Sequence, residues 1–238
     1  KAGHDINYVA LSGIAGHSGR QHSGPPPMGI QIADIAGGSL HSVIGILAAV
    51  IERQRSGLGQ YIDISMTDCV VGLSSMAAAA SLAGQEKQGP EQSYLNGATF
   101  YDYYETQDGR YLSIGSLEPQ FLYGLAQILE LPIVAEKGAS LATEDRQVVK
   151  QAIKDKIKTQ DFATWNAIFQ QQDVCVEPVL KLDEALDSQL AKDRAWVVSV
   201  PLQEGSTKSE QQLACPIKFS RSKIRYEFIG KPLGFDSL

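Results

Sequence analysis

The sequence predicts an α/β protein with a second, smaller α+β domain, on three observations. A helical run after Asp34, an alternating β-branched run and an Ala-rich helical run follow one another up to Leu82. A polar, glycine-bearing stretch without core residues then separates this part from the rest. Beyond it, two aromatic and β-branched runs joined by Gln107-Asp108-Gly109 read as a hairpin, with several helices after it. The expected boundaries are 1–86 for part of a large α/β domain, 87–97 for a linker, 98–190 for the small α+β domain, and 191–238 for a segment returning to the large domain.

Ile6, Val9 and Ala10, at i, i+3 and i+4 with Gly13 as a stop, predict a short helix with His4 and Asp5 at its mouth. The polar run through Gly16, Gly19, Gly24 and three prolines predicts a loop. From soon after Asp34 to Arg55, Ile44, Leu47, Ala48 and Ile51 line one helical face, closed by basic residues and stopped at Gly57. Gln60–Ser65 alternates as a strand, and Thr67–Leu82 is helical. Together they suggest helices covering a mainly parallel sheet.

The hairpin strands are placed at 98–106 and 110–114. Helices follow from Glu118-Pro119 to about Leu129, near Thr143–Lys158 and at Phe162–Gln171. A strand at Val174–Val179, a helical turn at Leu182–Asp187, and extended segments at Trp196–Leu202 and Gln212–Ile217 complete the chain.

The 238 residues are 43% hydrophobic, enough for a core, and 21 Lys and Arg against 27 Asp and Glu give a net charge of −6. The cations are scattered, which argues against nucleic acid and against a polybasic membrane patch. Cys69, Cys175 and Cys215 lie far apart without a CxxC pair and read as buried free thiols in a reducing cytoplasm. The apolar runs at 43–51 and 70–83 are interrupted by Gly or Ser and fall short of the ~18–20 residues of a membrane span. No signal-peptide pattern is present, and the start at Lys1 without Met is expected of a fragment of a longer protein.

Asp34 is the central chemical feature: a carboxylate within Ile30-Gln31-Ile32-Ala33-Asp34-Ile35-Ala36, followed by Gly37-Gly38. Such a group is paired, exposed at a helix start, or chemically used. Singly, His4 reads as a cap or surface residue, Asp34 as a helix N-cap and Glu118 as an acid at a helix N-terminus. Gly13-Ile14-Ala15-Gly16 lacks dinucleotide-loop spacing, and GxxxxGK[ST], GxSxG and HExxH are absent. His17 and His22 fall in the loop and are expected to be exposed, while His41 is expected to pack. No metal site is expected.

Taken in order, several motifs point to a family. Ala2-Gly3-His4-Asp5-Ile6-Asn7-Tyr8, Ala33-Asp34-Ile35-Ala36-Gly37-Gly38-Ser39, Gly45–Val50, Arg55-Ser56-Gly57-Leu58-Gly59-Gln60 and Glu118-Pro119-Gln120-Phe121 resemble the family III CoA-transferase (CaiB/BaiF-like) superfamily, and within it most nearly the α-methylacyl-CoA racemases. The resemblance implies a partial Rossmann-like large domain and an interlocked homodimer. It implies that His4 and Asp34 are the two acid/base groups, one on each face of an acyl-CoA α-carbon. It also implies that Glu118 supports the histidine, from the partner chain, that Asp5 belongs to the catalytic set near the thioester, and that Tyr8, Gly37 and Gly38 bind coenzyme A. Coenzyme A would be carried by the substrate, with no separate cofactor.

The chemistry asks for such a set: a weakly acidic α-proton leaves one face and a proton returns to the other. In the transferases of the superfamily the matching aspartate is a nucleophile that forms an acyl anhydride, so His4 discriminates better than Asp34. Ile30–Ala33 and Ala36 depart from the usual racemase string, which bears on substrate preference. Family members carry a long segment before the His4 motif, and a truncated non-catalytic remnant is the third reading.

Overall fold

The computed structural model describes residues 2–84 and 89–230. They fall into two compact units, Lys1–Pro178 and Val179–Leu238.

The first unit begins with α1 (Asp5–Leu11) and α2 (Ile14–His17), the latter within the expected loop. A π-helix over Ala33–Leu40 runs straight into α3 (His41–Ser56), which ends on Gly57 at φ 77°. Next come α4 (Met66–Leu73) and α5 (Ser75–Leu82), where one helix was expected. The break falls at Ser74, whose hydroxyl donates to the Val71 carbonyl at 2.7 Å and offers the backbone an alternative to the next helical turn.

The expected strand at 60–65 is not formed. A strand exists only with a hydrogen-bonded neighbour, and both sheets among the described residues are antiparallel and lie later in the chain. The alternation still shows: Ile62 and Ile64 are half-buried while Tyr61 and Asp63 are exposed. A Cβ on Gly45 of α3 would lie 3.2 Å from Ile62 and 3.3 Å from Ile64, so this glycine admits the extended run. The mainly parallel sheet is therefore absent from the described residues, because the one run patterned for it has nothing to pair with.

The principal core lies after residue 98. Strands β1 (Asp102–Glu105), β2 (Tyr111–Ile114) and β3 (Val176–Pro178) form an antiparallel sheet in the order β1-β2-β3. Pro178 sits on an edge strand, where its missing N–H costs nothing. Helices α6 (Pro119–Leu129), α7 (Pro132–Lys137), α8 (Thr143–Ile157) and α9 (Phe162–Phe169) pack with it. Leu122, Leu125, Ala126 and Leu129 of α6 and Val149, Ile153 and Ile157 of α8 are the buried helical stripes. Trp165 is buried in this cluster and donates its indole N–H to the Ile157 carbonyl at 2.7 Å.

The hairpin turn is held by Asp108, whose Oδ1 accepts from the Thr106 hydroxyl at 2.6 Å and from the Phe162 N–H at 3.0 Å. Residues 87–88 of the expected linker lie outside the described residues. The stretch that follows is tied by Asn96, whose amide donates to the carbonyls of His17 and Gly89.

The second unit contains α10 (Leu182–Asp187), α11 (Gln189–Asp193) and a hairpin of β4 (Val197–Pro201) with β5 (Ser209–Leu213).

The first 84 residues bury little. Their core is Val9, Ala33 and Val70, with Tyr8, Ile14, Ala15, Ile32 and Met66 packed around it. The helical run Ala33–Ser56, 24 residues, is long and apolar enough to cross a membrane by length and composition, because the helix continues through the Gly and Ser residues that interrupt its apolar pattern. Val43, Ile44, Ile46, Leu47, Val50 and Ile51 are all exposed.

The three cysteines are free, but Cys175 is exposed and the other two half-buried, against the expectation of buried thiols. Cys175 has its backbone at φ 54°, in the left-handed region, which presents the side chain outward between the inward-facing Val174 and Val176.

Candidate functional site

The sequence places two of its candidate chemical groups at helix starts, and the structure joins those starts. His4 is the N-cap of α1 and is exposed. Its backbone N–H donates to Asn7 Oδ1 at 3.0 Å, so Asn7 closes the cap in place of the imidazole. Asp5, the first residue of α1, turns its carboxylate to the start of the π-helix. Its Oδ1 accepts the Ala33 N–H at 2.6 Å and the Asp34 N–H at 3.0 Å.

Asp34 is exposed in the first turn of the π-helix. Of the alternatives open to this carboxylate, the described chain realises the exposed helix start. Two side chains support the wide turn: the Ser39 hydroxyl donates to the Asp34 carbonyl at 3.1 Å, and His41 Nδ1 donates to the Ala36 carbonyl at 2.5 Å, each five residues back. His41 is thus packed as expected. Sequence periodicity could not separate this π turn from an α turn, and single π turns are frequent at functional sites.

Gly37 is buried, and a Cβ there would lie 2.9 Å from the Met66 carbonyl, so the glycine is needed for α4 to approach. Gly38 is half-buried over the Met66 side chain. Tyr8 is half-buried in the small core, its hydroxyl donating to the Gly3 carbonyl at 3.2 Å. His4, Asp5, Tyr8, Asp34, Gly37 and Gly38 therefore belong to one structural neighbourhood.

Glu118 does not join it. It is the exposed N-cap of α6, with Pro119 at the first helical position, and among the described residues its side chain makes no hydrogen bond to His4 or Asp34. It acts electrostatically on Cys175, whose thiol is held above its ordinary value, first by partial burial and then by the carboxylates of Glu118, Asp173 and Glu177.

Two features escaped sequence reasoning. A cavity of about 650 Å³ is lined by, among others, His17, Arg20, Asn96, Tyr101, Tyr103 and Cys175. His17 ends α2 and is half-buried, not exposed as expected, with its Nδ1 buried and without a hydrogen-bond partner among the described residues. Beside it lies an ion cluster: Arg20 bridges both oxygens of Asp102 at 2.6 Å and meets Glu91 at 3.0 Å, and Lys150 Nζ lies 2.7 Å from Asp102. Burial pushes the Asp102 carboxyl up, but bonds from Arg20, Lys150 and the Tyr103 N–H outweigh it and hold the group below its ordinary range. These partners lie 71 and 82 residues from Arg20, and no local signal announces them. No group of three or more potential metal ligands occurs among the described residues.

The chain matches the family model described as CoA-transferase family III over residues 1–237. It is 40% identical over 200 residues to the alpha-methylacyl-CoA racemase of Mus musculus, covering 83% of this chain and 52% of that protein. To the Homo sapiens alpha-methylacyl-CoA racemase it is 34% identical, over 87% of this chain and 54% of that protein. A more distant relative is the Mus musculus succinyl-CoA:glutarate CoA-transferase, 26% identical over 77% of this chain and 43% of that protein. Among solved structures, a CAIB/BAIF family protein from Brucella suis superposes with a TM-score of 0.73 at 24% identity, covering 96% of this chain and 59% of that one. This last likeness carries the fold, with its mixed helix and strand content. The chain spans about half the length of the curated relatives it matches. With that family model matched along almost all of its length, the chain belongs to CoA-transferase family III.

Proposed function

We propose that this chain is the part of an acyl-CoA racemase that carries its two acid/base groups, acting on 2-methylacyl-CoA thioesters. The observation that carries the reading is the joining of the His4 and Asp34 helix starts through the Asp5 carboxylate. The 40% identity to a racemase supports it. In this reading one of the pair removes the α-proton from one face of the thioester, the enolate forms, and the other returns a proton to the opposite face. In this reading Tyr8, Gly37 and Gly38, in the same neighbourhood, serve the thioester and coenzyme A, and the substrate brings coenzyme A itself.

The complete protein in this reading has a Rossmann-like large domain and an interlocked homodimer, in which Glu118 of a second copy supports His4. The exposed apolar side chains of α3 and the unpaired run at 60–65 support a need for further packing partners. The free thiols support a reducing compartment such as the cytoplasm.

A second reading, CoA transfer with Asp34 as nucleophile, is favoured by the exposure of Asp34 and by the transferase relative. Incubation with a chiral 2-methylacyl-CoA in deuterated water, with and without a free acid acceptor, separates the two. Racemisation gives α-deuterium uptake without acceptor; transfer gives coenzyme A exchange only with it. His4→Ala abolishes uptake if the racemase reading holds, and uptake at the wild-type rate sinks it.

A further inference from the structure

We infer that Asp5 is a positioning residue, whose carboxylate sets the location of Asp34 relative to His4 and exchanges no proton with substrate. The inference rests on the racemase reading and gives Asp5 a different task from the place in the catalytic set, near the thioester, expected of it.

The residue before the π-helix, Ile32, is in helical conformation and supplies no side-chain cap, so the first backbone N–H groups of the segment need acceptors from elsewhere. Ala33 is fully buried, which makes its N–H costly to leave unpaired. The acceptor comes from 28 residues upstream: one oxygen of Asp5 takes the N–H groups of both Ala33 and Asp34. A carboxylate suits this place, because an anion at a helix N-terminus meets the positive end of the aligned peptide dipoles.

The cap is also a tether. Asp5 directly follows His4, and the second donor is the N–H of Asp34 itself, so a single oxygen fixes the backbones carrying both candidate groups. The Val9, Ala33 and Val70 contact holds the same two segments from below. The acceptor role itself moves no proton, and the oxygen that plays it is already shared by two N–H groups.

The test uses the full chain and the variants Asp5→Ala and Asp5→Asn. Asparagine keeps an acceptor oxygen of the same reach, and alanine removes it. Positioning predicts that Asp5→Ala lowers kcat for α-deuterium uptake on the order of 10- to 100-fold, with KM little changed, since a misplaced group loses rate rather than ground-state binding. Asp5→Asn leaves a smaller loss of about 3- to 10-fold, because a neutral hydrogen bond keeps roughly half the strength of a charge-assisted one. Amide hydrogen exchange at Ala33 and Asp34 speeds up in Asp5→Ala and returns toward wild type in Asp5→Asn.

An Asp5→Asn variant as slow as Asp5→Ala overturns the inference in favour of proton exchange. Unchanged kcat in Asp5→Ala, a loss confined to KM, or unchanged amide exchange overturns it as well. Absence of uptake in the wild-type chain defeats the racemase reading instead, while the amide measurements still decide whether Asp5 holds Asp34.

Discussion

Asp102→Asn tests what fastens the segment after α2 to the hairpin of the first unit. The Asp102 side chain is 7% exposed and receives both prongs of the Arg20 guanidinium at 2.6 Å and Lys150 at 2.7 Å. Asparagine leaves the shape, removes the charge, and turns an amide donor toward a cation. Breaking a buried ion pair by removing one partner costs about 3–5 kcal/mol. Arg20 and Lys150 are 43% and 27% exposed and keep Glu91 at 3.0 and 3.6 Å, so water and Glu91 recover part of that. A net loss of about 2–3 kcal/mol remains, equivalent to a fall in Tm of roughly 5–10 °C for a chain of this size. Urea unfolding followed by the fluorescence of buried Trp165 reads it directly. Pairing Asp102→Asn with Arg20→Met in a double-variant cycle isolates the coupling. A loss below about 0.5 kcal/mol, the range of an ordinary surface substitution, would falsify the claim that the cluster holds the unit together.

Glu91, like Asp102, is pushed up by burial but held below its ordinary value overall, by bonds from the Gln21 N–H and Arg20 and by the Lys150 charge. A depressed carboxylate contributes stability above its unfolded pKa and loses it as pH falls through the folded one. Wild-type stability therefore declines below about pH 4, and Asp102→Asn flattens that decline in pH-dependent urea titrations. Cys175 reacts with iodoacetamide at pH 8 more slowly than free cysteine, and Glu118→Gln speeds it; equal rates in wild type and variant would show that Glu118 does not act on the thiol. Gly37→Ala drives a methyl group against the Met66 carbonyl and lowers stability by about 1–3 kcal/mol in the same urea assay. Glu130 ends α6 at φ 55°, so Glu130→Gly is expected to raise the unfolding free energy by about 0.5–1 kcal/mol, even with its exposed pair to Lys156 lost.

What the sequence revealed follows the range of the forces involved. The hairpin at Gln107-Asp108-Gly109 and the α6 start at Glu118-Pro119 depend on residues next to them, and both form as read. The buried stripes of α6 and α8 likewise follow from apolar spacing alone. The run at 60–65 keeps its two-residue alternation but is no strand, since pairing needs a neighbour that its own side chains cannot encode. The π turn at Asp34, the Asp5 cap and the Arg20 cluster depend on partners 28 or more residues away, or on a hydrogen-bond register that leaves no mark on hydrophobic spacing. For the candidate site, residue types and their order were legible through family resemblance. Which of its alternatives Asp34 takes was not, because exposure depends on which surfaces the rest of the fold covers.

The π-helix constrains length as well as shape. Relative to an α-helix it carries a surplus residue between Asp34 and the start of α3, because each of its turns closes on the fifth residue instead of the fourth. Deleting one position there would restore ordinary helical geometry with little change in the phase of α3. Ser39 and His41 would then lose the carbonyls five residues back, Asp34 and Ala36, to which they now donate. A deletion that would shift the phase of an ordinary helix would here leave the phase alone and undo the turn that carries the acid.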